Sequence, residues 1–189
     1  MLRAQHSDKE LIVAILLDSF GENKSVNYII KQDASRLTRI KKLLEYSFEI
    51  CYLSGEIYLS DDKNACALVM LPENKKTTIK SVCLDAKFAL FCLGLANSKK
   101  AIAREEKIKA VHPALPMYYL WFIGVHHSQQ KKGIGSKLLN EIINAAEKRN
   151  KIICLETSTL RNIPWYKKFG FTIYNELDFG YRLFCLKRE

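Results

Sequence analysis

The sequence predicts a single α/β domain in which a mixed sheet carries helices on both faces. Three observations predict it. The chain is 189 residues long with 48% hydrophobic and 26% charged residues, a size and balance that fit one soluble globular domain rather than a disordered or fibrous chain. Runs with helical period alternate with short β-branched and aromatic runs along its whole length. No repeat, linker or low-complexity segment interrupts the alternation, so the elements must bury their apolar faces in one layered core.

In chain order, Leu11, Ile12, Ile15, Leu16 and Phe20 recur at three- and four-residue steps and predict a helix ending near Gly21, with Ser7 and Glu10 at capping-box spacing before it. A second helix follows from Ser35, with Leu37, Ile40, Leu43, Leu44, Phe48 and Cys51 on one side and Arg36, Lys41 and Lys42 on the other. Residues 55–59 and 65–71 are apolar runs around the turn sequence Ser60-Asp61-Asp62-Lys63-Asn64, which reads as an antiparallel hairpin. Residues 78–111 are helical in pattern, with the charged stretch Lys99 to Lys109 as a solvated face or a helix pair, and Pro113 and Pro116 stop them. Residues 117–125 form a strand by content. After a glycine pair, Ile134, Leu138, Leu139, Ile142, Ile143 and Ala146 mark one face of a helix ending near Asn150. Residues 152–157 are a short buried strand, Pro164 to Lys168 a helical turn, and residues 171–174 and 181–186 a closing pair of strands.

The apolar runs at 88–96 and 117–125 are about half the ~20 residues that span a bilayer, so no membrane partner is expected. Met1 to Asp8 has no apolar stretch ahead of its charges, which predicts no secretory signal and a cytoplasmic protein. The six cysteines, at 51, 66, 83, 92, 154 and 185, include no CxxC pair and read as small buried hydrophobes, with neither disulfides nor metal expected. The formal charge is +10, and +7 of it lies in residues 101–189, so an anionic ligand belongs to that half. The basic residues are not interleaved with an aromatic stacking platform, which argues against a nucleic-acid partner.

The segment Gln130-Lys131-Lys132-Gly133-Ile134-Gly135-Ser136 falls between a strand and a helix. Glycines there let backbone N–H groups approach a ligand at a helix N-terminus, whose natural guest is a diphosphate; the two lysines add attraction and Gln130 can donate from its amide. The third glycine and downstream acid of a dinucleotide fold are missing, as is the Gly-Lys-Ser/Thr of a P-loop.

Gln130-x-x-Gly133-x-Gly135 resembles the pyrophosphate loop of the GNAT superfamily of acetyl-CoA-dependent N-acetyltransferases. Leu155-Glu156-Thr157-Ser158 followed by Arg161-Asn162-Ile163-Pro164-Trp165-Tyr166 and Gly170-Phe171 resembles the branch containing puromycin N-acetyltransferase, with Trp165 in place of a phenylalanine. The resemblance is strong from about Tyr118 to Tyr174, and residues 55–72 also resemble that branch's hairpin. It implies a mostly antiparallel twisted sheet with one splayed strand pair, a single domain over 1–189, an acceptor-side half (1–116) and an acetyl-CoA half (117–189).

The implied chemistry is transfer of an acetyl group to a primary amine of a small molecule or peptide by direct attack in a ternary complex. By resemblance, Ile123, Gly124 and Val125 offer backbone groups to the pantetheine arm, Gln130 through Ser136 (with Lys131, Lys132 and Ile134) hold the diphosphate, Asn162 contacts the arm and Tyr166 is the general acid. Gly124 also fits a kinked strand. Glu156 is the candidate general base, set against a purely structural carboxylate or a water chain. His126 and His127, weighed as bases because an imidazole titrates near neutral pH, read as exposed residues of the loop entering the phosphate site, and His112 ahead of Pro113 reads as a loop residue, with a place facing the acceptor site as the alternative. The implied partners are acetyl-CoA and an amine acceptor, without a metal, and a homodimer is left open. A catalytically silent acyl-CoA-binding regulatory domain is the alternative reading.

Overall fold

The computed structural model describes the backbone of residues 1–189 and the side chains of all but residues 91 and 94–96. Strands β1 (Leu2–Arg3), β2 (Gly55–Leu59), β3 (Ala65–Met70), β4 (Met117–Val125), β5 (Ile152–Thr157), β6 (Thr172–Asp178) and β7 (Arg182–Arg188) form one sheet in the order β1-β2-β3-β4-β5-β7-β6. Only β4 and β5 run parallel; every other neighbouring pair is antiparallel. The helices are α1 (Lys9–Phe20), α2 (Lys24–Ile29), α3 (Arg36–Ser54), α4 (Ile79–Phe88), α5 (Gly94–Val111), α6 (Ile134–Glu147) and α7 (Ile163–Lys168). Among the described residues, no helix is long and apolar enough to cross a membrane.

Two apolar layers sandwich the sheet. On one face, Ile12, Ile15 and Leu16 of α1 and Ile40, Leu44 and Phe48 of α3 pack on Ile57, Leu59, Cys66, Leu68 and Phe122. On the other, Leu138, Leu139, Ile142 and Ala146 of α6 pack with Tyr166 on Ala65, Ala67, Val69, Tyr118 and Leu120. A strand should alternate faces with period two, yet Leu120 and Phe122 lie on opposite faces. The reason is a β-bulge: Leu68 pairs with Phe122 and Val69 with Leu120, so Trp121 is an extra residue without a partner on β3. It reverses the phase of β4 and puts Tyr119, Trp121 and Phe122 together on the α1/α3 side.

That bulge, rather than Gly124, is the irregularity in β4. Gly124 stays in register opposite Cys66, and its role is close approach, since a Cβ there would stand 3.0 Å from Ser19 Oγ and 3.1 Å from Leu16 Cδ2 of α1. Other expectations need adjustment. The 78–111 run is two helices joined by a π turn at Ala89–Leu93. Leu37, expected on the buried side of α3, is 54% exposed. The anticipated Ser7/Glu10 box is replaced by a 3-10 turn over His6–Asp8, in which the Asp8 carboxylate accepts from the Gln5 N–H at 2.9 Å. Helix α2 is anchored by Asn23, whose side chain accepts from the N–H groups of Ser25 and Val26. All six cysteines are free thiols, five of them buried.

Candidate active site

Strands β4 and β5 pair only at Met117↔Ile152, Tyr118↔Ile153 and Tyr119↔Cys154. Beyond that point they diverge, and the splay opens a cavity of about 540 Å³ between them. Leu120 to Ile123 line it from β4, Glu156 to Ser158 from the end of β5, and Asn162 and Tyr166 from α7 and the turn before it. Helices α3, α4 and α5 contribute Tyr46, Phe88 and Arg104 to its far wall.

The backbone of β4 is exposed to the splay in a way that its register dictates. His126 donates its N–H to Asn64 O at 2.8 Å, so the alternation of an antiparallel pair turns the N–H and C=O of Ile123 and Val125 away from β3. The Val125 carbonyl is taken up by Ser19 Oγ at 3.1 Å and Gln130 Nε2 at 3.2 Å. Gln130 thereby donates from its amide to the strand and braces the loop against it.

The loop reaches α6 through two left-handed residues, Lys131 (φ 64) and Gly133 (φ 82). Gly133 is the N-cap and provides no side-chain cap, and the N–H groups of Ile134, Gly135 and Ser136 in the first turn have no acceptor among the described residues. A Cβ at Gly133 would meet nothing within 4 Å, so that side of the loop is open to a ligand. At Gly135 a Cβ would lie 3.0 Å from Val125 Cγ2, and the missing side chain lets the helix start against β4. Lys131 and Lys132 are exposed, with Lys132 Nζ donating to Gln129 Oε1 at 2.8 Å. Ser136 Oγ accepts from Trp165 Nε1 at 3.0 Å, which ties α7 to the start of α6 and gives the indole a role a phenylalanine could not fill.

Tyr166 is 5% exposed, held between Trp165 and Phe171 at ring-centroid distances of 4.7 and 5.5 Å. Its hydroxyl makes no hydrogen bond within the described residues, and burial raises its pKa well above that of a free phenol, so it stays protonated. Ser158, on the cavity wall, has a buried Oγ with no partner among the described residues.

Glu156 is the most sheltered carboxylate of the cavity, with its side chain 6% exposed. Tyr119 donates its hydroxyl to Oε2 at 2.5 Å, and His112 Nε2 lies 3.0 Å from Oε1. Burial, then the neighbouring Glu156 charge, raise the Tyr119 pKa far above its usual value and keep it a donor. His112 is thus no mere loop residue: at the end of α5, its ring sits 5.1 Å from that of Tyr119 with its side chain 15% exposed. Sequence reading missed this pairing because 44 residues separate His112 from Glu156. His126 and His127 are exposed, as expected. Arg104 spans the cavity's far side, donating to Tyr181 Oη at 3.0 Å and Ser25 Oγ at 2.5 Å and so tying α5 to α2 and the β6–β7 turn.

Residues 96–173 match the acetyltransferase (GNAT) domain family. An uncharacterised N-acetyltransferase of Schizosaccharomyces pombe is 26% identical, the match covering 89% of this chain and 72% of that protein. Among solved structures, one titled histone acetyltransferase HPA2 and related acetyltransferase, from Corynebacterium glutamicum, superposes with a TM-score of 0.70 at 20% identity, over 98% of this chain and 93% of that one. The C-terminal condensation domain of Ebony, in complex with beta-alanyl-dopamine, superposes with a TM-score of 0.73 at 10% identity, over 100% and 97% of the two chains. At such identities the structural likeness is one of fold. The acetyltransferase (GNAT) signature thus spans residues 96–173, on the β4 to α7 part of the chain that builds the loop and the splay, while the likeness over nearly the whole chain is one of architecture.

Proposed function

We propose that the protein transfers the acetyl group of acetyl-CoA to a primary amine, with Tyr166 as general acid and Glu156 as general base. The observation that carries this reading is the splay itself: an open gap between β4 and β5, edged by backbone groups of Ile123 turned away from β3, with a phenol unpartnered among the described residues and a sheltered carboxylate on its walls. Acetyl-CoA fits the groups present. Ile134, Gly135 and Ser136 would receive the diphosphate on free N–H groups at a helix N-terminus, aided by the charges of Lys131 and Lys132, and Asn162 and the edge of β4 would align the arm.

When bound, acetyl-CoA supplies an acetyl group already activated as a thioester. Glu156 Oε1 and Oε2 retain acceptor capacity beyond the bonds from His112 and Tyr119, and the carboxylate takes the proton that the amine loses as the new C–N bond forms. His112 and Tyr119 are positioning residues that fix the carboxylate's rotamer. Tyr166 gives its phenolic proton to the departing sulfur as the C–S bond breaks, its ring held by packing and its residue on the cavity wall. The test is amine-dependent release of the free CoA thiol, with the acetylated amine identified by mass. Thiol release with no acetylated product across chemically diverse amines would mean hydrolysis and overturn transfer to an amine, and binding without any release would favour a silent acyl-CoA-binding domain.

A further inference from the structure

The acceptor's chemical class can be read from the cavity wall, an inference that rests on the acetyl-transfer reading above. The side away from α6 is built of rings. Tyr46 and Phe88 stack with centroids 4.3 Å apart and 10° between their planes, and Trp121 stands edge-on to Tyr46 at 6.4 Å. Trp121 is the bulged residue of β4, so the irregularity that reverses the strand's phase also delivers an indole to this wall beside Phe122, at 5.4 Å. All of these rings are only partly buried or line the cavity directly, which leaves ring surface for a ligand.

Charge narrows the class further. The cavity is lined by Lys75, Arg104 and Lys109 against Asp85, Glu105 and Glu156, so it is formally neutral inside a chain of +10. Most of these groups are already engaged: Arg104 with Tyr181 and Ser25, Lys109 with Glu105 at 3.6 Å, and Asp85 with the Tyr46 hydroxyl at 2.6 Å. Glu156 alone among the carboxylates is both deeply sheltered and adjacent to the splay. A polycation would lose hydration at several ammonium groups and find one carboxylate to receive them. A polyhydroxylated amino sugar would need hydrogen-bond partners for several hydroxyls round its ring, and a wall of aromatic rings supplies few. A volume of about 540 Å³, shared with the reacting end of the co-substrate, is of small-molecule size.

We infer that the acceptor is a small primary monoamine carrying a flat aromatic body, the ring laid against Tyr46, Phe88 and Trp121 and the nitrogen directed to Glu156. The experiment compares kcat/KM for 2-phenylethylamine, tryptamine, spermidine, glucosamine and a short peptide with a free N-terminus at fixed acetyl-CoA. Both aromatic amines should exceed the other three by at least about tenfold, and Trp121→Ala should cut that preference by about tenfold through KM, since an aromatic pair is worth roughly a kcal/mol. Binding gives a readout independent of turnover. The chain has two tryptophans, so in a Trp165→Phe background 2-phenylethylamine should perturb the emission of Trp121, its remaining indole, while glucosamine should not. Spermidine, glucosamine or the peptide as the best substrate would overturn the assignment, and so would aromatic amines that neither turn over nor perturb Trp121 in protein that binds acetyl-CoA. Failure to bind acetyl-CoA at all would instead overturn the acetyl-transfer reading on which it rests.

Discussion

Replacing Tyr166 with phenylalanine separates the chemistry of this residue from its packing. The ring is 5% exposed and touches Trp165 and Phe171, contacts that phenylalanine preserves. The hydroxyl has no partner within the described residues, so deleting it strands no buried donor or acceptor and stability should move by less than about 0.5 kcal/mol. Affinity for acetyl-CoA should likewise hold, because the loop before α6 and the edge of β4 carry the binding. The rate should not hold. Loss of a positioned acid costs on the order of 10²-fold, or about 2.7 kcal/mol of barrier, and should appear in kcat. The assay is single-turnover acetylation of any accepted amine at saturating acetyl-CoA, alongside thermal unfolding and calorimetric titration of both proteins. A variant that turns over within a few fold of wild type with chemistry rate-limiting would refute the assignment, and another donor, water included, would have to serve. A large loss of stability would refute the claim that the hydroxyl is free.

Glu156→Gln should reduce kcat by about 10²-fold with acetyl-CoA affinity unchanged, measured in the same assays; an unchanged kcat would make the carboxylate structural. Acetyl-CoA affinity should weaken as salt rises, because exposed Lys131 and Lys132 flank the loop, and a flat titration from low to high ionic strength would exclude that electrostatic contribution. Away from the site, burial opposes ionisation of Glu56, yet hydrogen bonds from Tyr58, Tyr118, Arg149 and Arg3 overcome it and bring its pKa from 4.5 down to about 2. A pKa depressed on folding stabilises above the unfolded value, so this contribution should be lost as pH falls from about 4.5 towards 2. Glu56→Gln should unfold at a lower temperature at neutral pH and show a shallower loss of melting temperature over that acid range; parallel curves would remove Glu56 as the cause.

What was legible in the sequence was what local physics dictates. The α6 face of Leu138, Leu139, Ile142, Ile143 and Ala146 could be nothing but a buried helix side, and it is one. Gly133 could be read as a loop glycine because a left-handed turn at a helix N-terminus favours that residue. The bulge at Trp121 left no such trace, for Met117 to Val125 is apolar throughout and a phase change is invisible where both faces are apolar. Helix α2 and strand β1, at six and two residues, are too short to carry a period. Tyr166 and Asn162 were reachable from motif spacing, whereas His112 and Tyr119 meet Glu156 only through the parallel pairing of β4 with β5 and the path of α5 over them.

The central claim is that acetyl-CoA binds with its diphosphate on the first turn of α6, and calorimetric titration of wild type against Gly133→Asp tests it most directly. Position 133 has open space for a side chain, and aspartate is among the non-glycine residues that tolerate a left-handed backbone, so the variant should fold while placing a negative charge at the loop. The account predicts saturable one-site binding by wild type and a loss of affinity of tenfold or more in the folded variant. Equal affinity in the two proteins, or no binding by wild type, would contradict it.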